Sequence, residues 1–191
     1  SDYSIELNCY NLARYAKIVQ DHEMVPIVEP EVLMDGPHSI DECFEITSKT
    51  QKVLFEKLDL HSVEINEIIL KPNMVISGKK CSDQAEVSKV ASMTLKCLEE
   101  NVPEEVPGIM FLSGGQSNEL ATKHLNEINK LKKKKTWNLS FSYGRALQQP
   151  SLTAWEGKDR NILSSQNALL KRSKLNSVAT KGEYSVDLEK I

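Results

Sequence analysis

A chain of 191 residues with 40% apolar and 27% charged residues and a net charge of −3 has the balance of an ordinary globular protein with room for a real core. That balance argues against nucleic acid and against a membrane surface as partners. No apolar run nears the roughly 20 residues that span a bilayer, and no charged-then-apolar leader opens the chain. Cys9, Cys43, Cys81 and Cys97 are scattered, as are His22, His38, His61 and His124. Neither set has metal-ligand spacing, so no metal is expected, and the thiols read as reduced ones in a cytoplasmic protein.

In chain order, apolar positions from about Ile5 to Asp21 make a helical stripe. Met24 to Val28 reads as a short strand tipped by Glu29-Pro30-Glu31. Asp35-Gly36-Pro37 is a turn, and Ser39 or Asp41 caps a helix running to about Leu58. Ile68-Ile69-Leu70 is a short apolar run that reads as a strand buried on both faces, ending at Lys71-Pro72. Ser82 or Asp83 is expected to cap a third helix, which closes before Pro103. Gly108 to Leu112 is a third strand, leading into Ser113-Gly114-Gly115-Gln116-Ser117 and a helix from about Asn118 to Lys130. Trp137 to Phe141 is the fourth strand, tipped by Ser142-Tyr143-Gly144-Arg145. Helical segments near Ala146–Trp155 and Asp159–Ala179 complete the pattern, and residues 180–191 read as a loose tail.

Strands alternating with helices imply a parallel sheet with right-handed crossovers, and such folds place their sites at the C-terminal strand ends. The chemically unusual residues lie at those ends, and Glu29, Lys71 and Ser113 recur at equal steps along the chain. A lysine at the inner end of a strand is costly to bury as a cation. Either a partner pairs it, or it gives up its proton and becomes a nucleophilic amine; the plainer alternative is a stem inside with its head in water. Of Glu29 and Glu31, one is expected to face the pocket and to shuttle protons beside that amine; otherwise the pair is a solvated acidic turn. Ser113-Gly114-Gly115, before a helix, offers backbone N–H groups to a phosphate, though Gly-Gly is also an ordinary tight turn. Ser142-Tyr143-Gly144-Arg145 adds a guanidinium fork on the neighbouring strand end. The run Lys132 to Lys135 reads as a solvated loop away from the pocket.

The segments Ile69-Leu70-Lys71-Pro72-Asn73-Met74-Val75, Val25 to Glu31, Phe111 to Ser117 and Phe141 to Leu147 together resemble class I fructose-1,6-bisphosphate aldolases, in the family's order and spacing. The resemblance runs to about Tyr184 and matches the C-terminal half of a complete enzyme. It implies the last four strands of a (β/α)8 barrel over residues 1–179, with Lys71 as the Schiff-base amine and Glu29 as the proton shuttle. It also implies that Ser113, Gly114, Gly115, Ser142, Gly144 and Arg145 hold the C1 phosphate of a sugar phosphate, without a cofactor. A homotetramer and cytoskeletal partners are implied for the whole enzyme. Where the family has Glu-Gly ahead of the lysine, this chain has Asn66-Glu67, placed by strand spacing toward the bottom of the barrel. The family's first half supplies an aspartate and lysines beside the Schiff base, and its C-terminal tail ends in tyrosine; neither is in these 191 residues. A non-catalytic scaffold or a different Schiff-base aldolase, such as a transaldolase-like enzyme, are the competing readings. Two unpaired strand edges would make such a half self-associate and nearly inactive alone.

Overall fold

The computed structural model describes residues 1–133 and 137–190. Lys134 and Lys135 of the lysine run lie outside the described residues, with Thr136 and Ile191. Helix α1 (Asp2–Asp21) precedes four strand–helix units: β1 (Ile27–Val28) and α2 (Ile40–Leu60), β2 (Ile69–Leu70) and α3 (Val87–Asn101), β3 (Gly108–Phe111) and α4 (Asn118–Leu131), and β4 (Asn138–Phe141) followed by α5 (Arg145–Trp155) and α6 (Ile162–Ala179). The strands form one sheet in the order β1-β2-β3-β4, parallel at every pairing. No described helix is long and apolar enough to cross a membrane.

Local chemistry sets the helix starts. Ser39 caps α2 through a capping box: its hydroxyl accepts from the Glu42 amide, and the Glu42 carboxylate accepts from the Ser39 amide at 2.7 Å. The third helix starts later than its acidic and hydroxyl residues suggest, at Val87. Gln84 Nε2 donates to the Gly78 and Cys81 carbonyls, and the Ala85 amide donates to Ser77 Oγ. Those bonds stitch residues 81–85 to the loop after β2, so they cannot wind into helix.

Alternation along the strands gives the sheet two unlike faces. Val28, Leu70, Ile109 and Leu139 are buried against the helices, whose Leu54, Leu58, Leu98, Leu125 and Ile128 complete the core. Their neighbours point to the other side, where Ile27 is 47% exposed and Ile69 and Met110 are partly so. The strand Ile68–Leu70 was expected to be buried on both faces; among the described residues Ile69, on the open face, is only partly covered. Asn66 and Glu67 also differ from expectation. They sit in a 3-10 turn (Ile65–Glu67) ahead of β2, not on an extended strand, although still at the sheet's N-terminal end.

The segment after Thr180, read as loose, is instead docked. Tyr184 is buried, its amide donates to Asn126 Oδ1 at 2.8 Å, and its hydroxyl donates to Glu189 Oε1 at 2.9 Å. Glu189 in turn takes both its oxygens to Arg172 Nη1 at 2.7 Å, while Arg172 Nη2 donates to Thr122 Oγ1 and the Asn118 carbonyl. A guanidinium buried under α4 needs that carboxylate, and the carboxylate holds the tail down. Composition gave no sign of this, because the charged pair is set 17 residues apart.

Two stability outcomes follow from buried polar groups. Glu189→Ala leaves Arg172 buried and unpaired, which costs about 3 kcal/mol or more; the double change Arg172→Met, Glu189→Leu costs less, and urea unfolding of the three proteins checks the order. Burial also lowers the His124 imidazole to about 4, with Nδ1 2.6 Å from Gln116 Oε1. The unfolded chain therefore takes up a proton the folded one refuses, and stability falls as pH drops from about 6.5 to 4, by about 3 kcal/mol in total. His124→Asn keeps a donor for Gln116 and flattens that part of the profile, read as urea midpoints at neutral and acidic pH.

Candidate active site

Parallel register decides which side chains meet. Val28 pairs with Leu70 and Leu70 with Ile109, so Glu29 and Lys71 stand side by side one residue beyond the paired strands. Both follow buried residues and so point to the open face of the sheet. Lys71 Nζ lies 3.1 Å from Glu29 Oε1, with the lysine side chain 20% exposed and the carboxylate 41%. Of the three ways to keep a lysine at a strand end, the structure shows the pairing with a carboxylate. A carboxylate at that distance can take the ammonium proton and return it to a bound group. Glu31 is exposed and walls the cleft between α1 and the end of β1.

The backbone around this pair is fixed by residues that composition did not flag. Lys71 donates its amide to the Val28 carbonyl at 2.8 Å, and Pro72 accepts from Leu112 at 3.1 Å. Asn73 is buried and fully used: Oδ1 accepts from the Val32 amide, while Nδ2 donates to Thr47 Oγ1 and the Met74 carbonyl. One side chain thus ties the segments after β1 and β2 to each other and to α2. The Val75 amide donates to Thr94 Oγ1 of α3. Lys-Pro-Asn is therefore a rigid exit from the strand, and a rigid exit holds an amine in one place.

Beyond β3, Gly114 and Gly115 take left-handed backbone angles, φ +56° and +73°, which only glycine adopts without strain. Gln116 closes the turn by donating its amide to the Ser113 carbonyl. Among the described residues the Gly114 and Gly115 amides donate to no protein acceptor. The Ser142 amide donates to the Phe111 carbonyl, which brings the end of β4 beside this loop. Gly144 is the N-cap of α5, with no side-chain cap bond and open space beside its Cα. Free amides at a helix start, two glycines and a guanidinium in one corner suit an anion.

Two details depart from the equal spacing of the strand ends. The register sets Met110 level with Lys71, so Ser113 lies three residues farther out. The glycine loop is therefore above the amine rather than beside it. Lys79 was not singled out from sequence, yet its ammonium reaches Gly115: a Cβ built there would stand 2.7 Å from Lys79 Nζ and 3.3 Å from Arg145 Nη2. Its signal, a lysine pair after Gly78, looks like any exposed basic loop. Among the described residues no three His, Cys, Asp or Glu side chains gather to hold a metal ion. Cys9 and Cys97 are buried thiols pushed up to about 11 by desolvation, which makes them packing groups rather than nucleophiles.

Comparison with known proteins agrees with this geometry. The family model for glycolytic fructose-bisphosphate aldolase class-I matches residues 1–191. The chain is 47% identical over 189 residues to the Arabidopsis thaliana protein named fructose-bisphosphate aldolase 4, cytosolic, covering 99% of this chain and 48% of that one. It is 51% identical over 183 residues to a cytoplasmic aldolase isozyme of Cicer arietinum, covering 95% and 50%. A solved fructose-bisphosphate aldolase from Plasmodium falciparum, in complex with TRAP and a small-molecule inhibitor, superposes with a TM-score of 0.94 at 45% identity, over 97% of this chain and 53% of that one. The chain spans about half the length of the curated relatives it matches. Four parallel strands with alternating helices thus match part of an aldolase barrel, and the chain belongs to the class I fructose-bisphosphate aldolase family.

Proposed function

We propose that this chain carries the Schiff-base lysine and the C1-phosphate site of an aldolase that reversibly cleaves fructose 1,6-bisphosphate to dihydroxyacetone phosphate and glyceraldehyde 3-phosphate. The observation that carries the reading is the Lys71–Glu29 pair at 3.1 Å on the open face of the strand ends, below a glycine loop that faces Arg145. Glu29 takes a proton from the Lys71 ammonium, and the freed amine adds to the C2 carbonyl. Returning that proton to the carbinolamine hydroxyl expels water and leaves an iminium. The C3–C4 electron pair then flows into the iminium as the Glu29 carboxylate, ionised again once water has left, takes the C4 hydroxyl proton that C3 later regains, giving an aldehyde and an enamine on Lys71. Protonation of the enamine at C3 and hydrolysis release dihydroxyacetone phosphate and restore the amine. Ser113, Gly114, Gly115, Ser142, Gly144 and Arg145 hold the C1 phosphate, so that binding energy orients C2 over the amine.

The names of the plant relatives support a cytoplasmic setting, and the description of the matching family supports glycolysis. A homotetramer belongs to the same proposal for the complete enzyme. One observation favours a second reading, a non-catalytic scaffold for protein partners, cytoskeletal ones among them: the Plasmodium falciparum relative is solved in complex with TRAP.

Incubation with dihydroxyacetone phosphate followed by borohydride reduction separates the readings. A reduced adduct on Lys71, located by peptide mass spectrometry and absent from Lys71→Met, is the expected result. Glu29→Gln slows its formation by roughly 10²-fold or more. No adduct while phosphate still binds supports the scaffold. A second outcome concerns assembly. β1 and β4 are each paired on one side only, and Ile27 is exposed on the uncovered face. The isolated chain is expected to self-associate and to show almost no cleavage activity; a monodisperse monomer in size-exclusion chromatography with light scattering overturns this.

A further inference from the structure

Lys79 reaches the glycine loop by a built path, not by a loose side chain. After β2 the chain runs beside the loop that follows β1 and bonds to it three times: Gly78 donates to the His38 carbonyl at 2.9 Å, Lys79 to Met34 at 2.7 Å and Lys80 to Gly36 at 3.1 Å. The two loops touch so closely that a Cβ on Gly78 would fall 2.2 Å from the Gly36 carbonyl oxygen. Only glycine permits this approach, and the approach fixes the Cα of Lys79 against the neighbouring strand's loop.

From there the ammonium reaches the same point beside Gly115 as the Arg145 guanidinium. The distances of both nitrogens from one point on Gly115 put the two cations no more than about 6 Å apart. Like charges converging on one point repel unless an anion lies between them. One carboxylate is near: Asp35 Oδ1 is 3.1 Å from Lys79 Nζ, with the two side chains 69% and 40% exposed. A pair that exposed is weak and exchangeable. Arg145 makes no ion pair among the described residues. Two cations, one weakly held carboxylate and two free glycine amides leave room for a doubly charged anion.

We infer that Lys79 is a phosphate-binding residue that shares the Gly115 corner with Arg145, and that the ligand it favours is the dianion of a phosphate monoester. The inference rests on the phosphate-site reading above and adds a residue to it. Asp35 holds the ammonium in place while the site is empty and yields it when phosphate arrives. Lys79 therefore contributes to affinity and to the preference for phosphorylated over unphosphorylated ketoses, and takes no part in proton transfer.

Titration calorimetry of inorganic phosphate against the whole chain tests it. Lys79→Met weakens binding about tenfold, the loss of one charge-assisted contact, and Lys79→Arg restores it to within about twofold. Asp35→Asn removes the competing carboxylate and tightens binding, an effect that a merely structural Lys79–Asp35 pair would not produce. Unchanged affinity in Lys79→Met alongside a loss in Arg145→Met overturns the inference and leaves the phosphate site standing. Weaker binding in Asp35→Asn assigns the pair a structural role and also overturns it. Absence of saturable phosphate binding to the unaltered chain overturns the site itself, and the inference with it.

Discussion

The functional geometry depends on one constraint, the parallel register of four short strands. Because all four run the same way, their C-terminal ends lie along a single edge. Because Val28 pairs with Leu70, the residue after each faces the same side. Neither Glu29 nor Lys71 could find the other if β1 slipped by one residue, since a slip of one sends a side chain to the opposite face. The register is held by burial: Val28, Leu70 and Ile109 have no exposed surface, and a shift of one residue would put them on the open face. The apolar core therefore positions the charged pair, although none of its atoms takes part in the chemistry.

Much of this was legible in the sequence for physical reasons. Short apolar runs broken by Pro and Gly, alternating with helical stripes, leave few alternatives to a parallel sheet. Glu29, Lys71, Ser113 and Arg145 stood out because each is a polar residue at the abrupt end of such a run. What stayed hidden was set by three-dimensional contact. Asn73 looks like a turn residue until its hydrogen bonds to the segment after β1 and to α2 are seen. Lys79 looks like a solvated loop lysine until the Gly36–Gly78 contact carries it to Gly115. Tail docking was missed likewise, since a mixed-charge segment gives no hint that a buried arginine waits for its glutamate. Equal spacing along the chain does not fix depth; strand register does, and it sets Ser113 three residues beyond the level of Lys71.

The two-faced sheet bears on how far the chain acts by itself. Its helix-side face is a complete core, so the fold shown by residues 1–133 and 137–190 has an internal reason to hold. Its other face carries the candidate chemistry and is left partly open by the described residues. A sugar phosphate bound there would sit against water on one side. Water competes for each hydrogen bond and screens each charge, which weakens the electrostatic contribution that such sites make to catalysis. On the proposed function, binding of phosphate and formation of an imine are therefore separable from efficient cleavage. The first two need only groups present in this chain, while the last also needs the low-dielectric surroundings that a covered face provides.

The distribution of charges supports that separation. Lys71 and Lys79 each have a carboxylate at 3.1 Å, but the two pairs differ in what surrounds them. The Lys71 side chain is 20% exposed, and its backbone is clamped by Asn73 and the strand ladder. A proton can pass along that pair while both partners stay in place. The more exposed Lys79 faces a second cation across a glycine, so its carboxylate balances charge and leaves room for exchange. Similar contacts thus serve opposite ends: a pair held still suits proton transfer, and a pair that can part suits an arriving anion. Burial and the second cation, more than the shared distance, separate the lysine proposed as catalytic from the one proposed to bind phosphate.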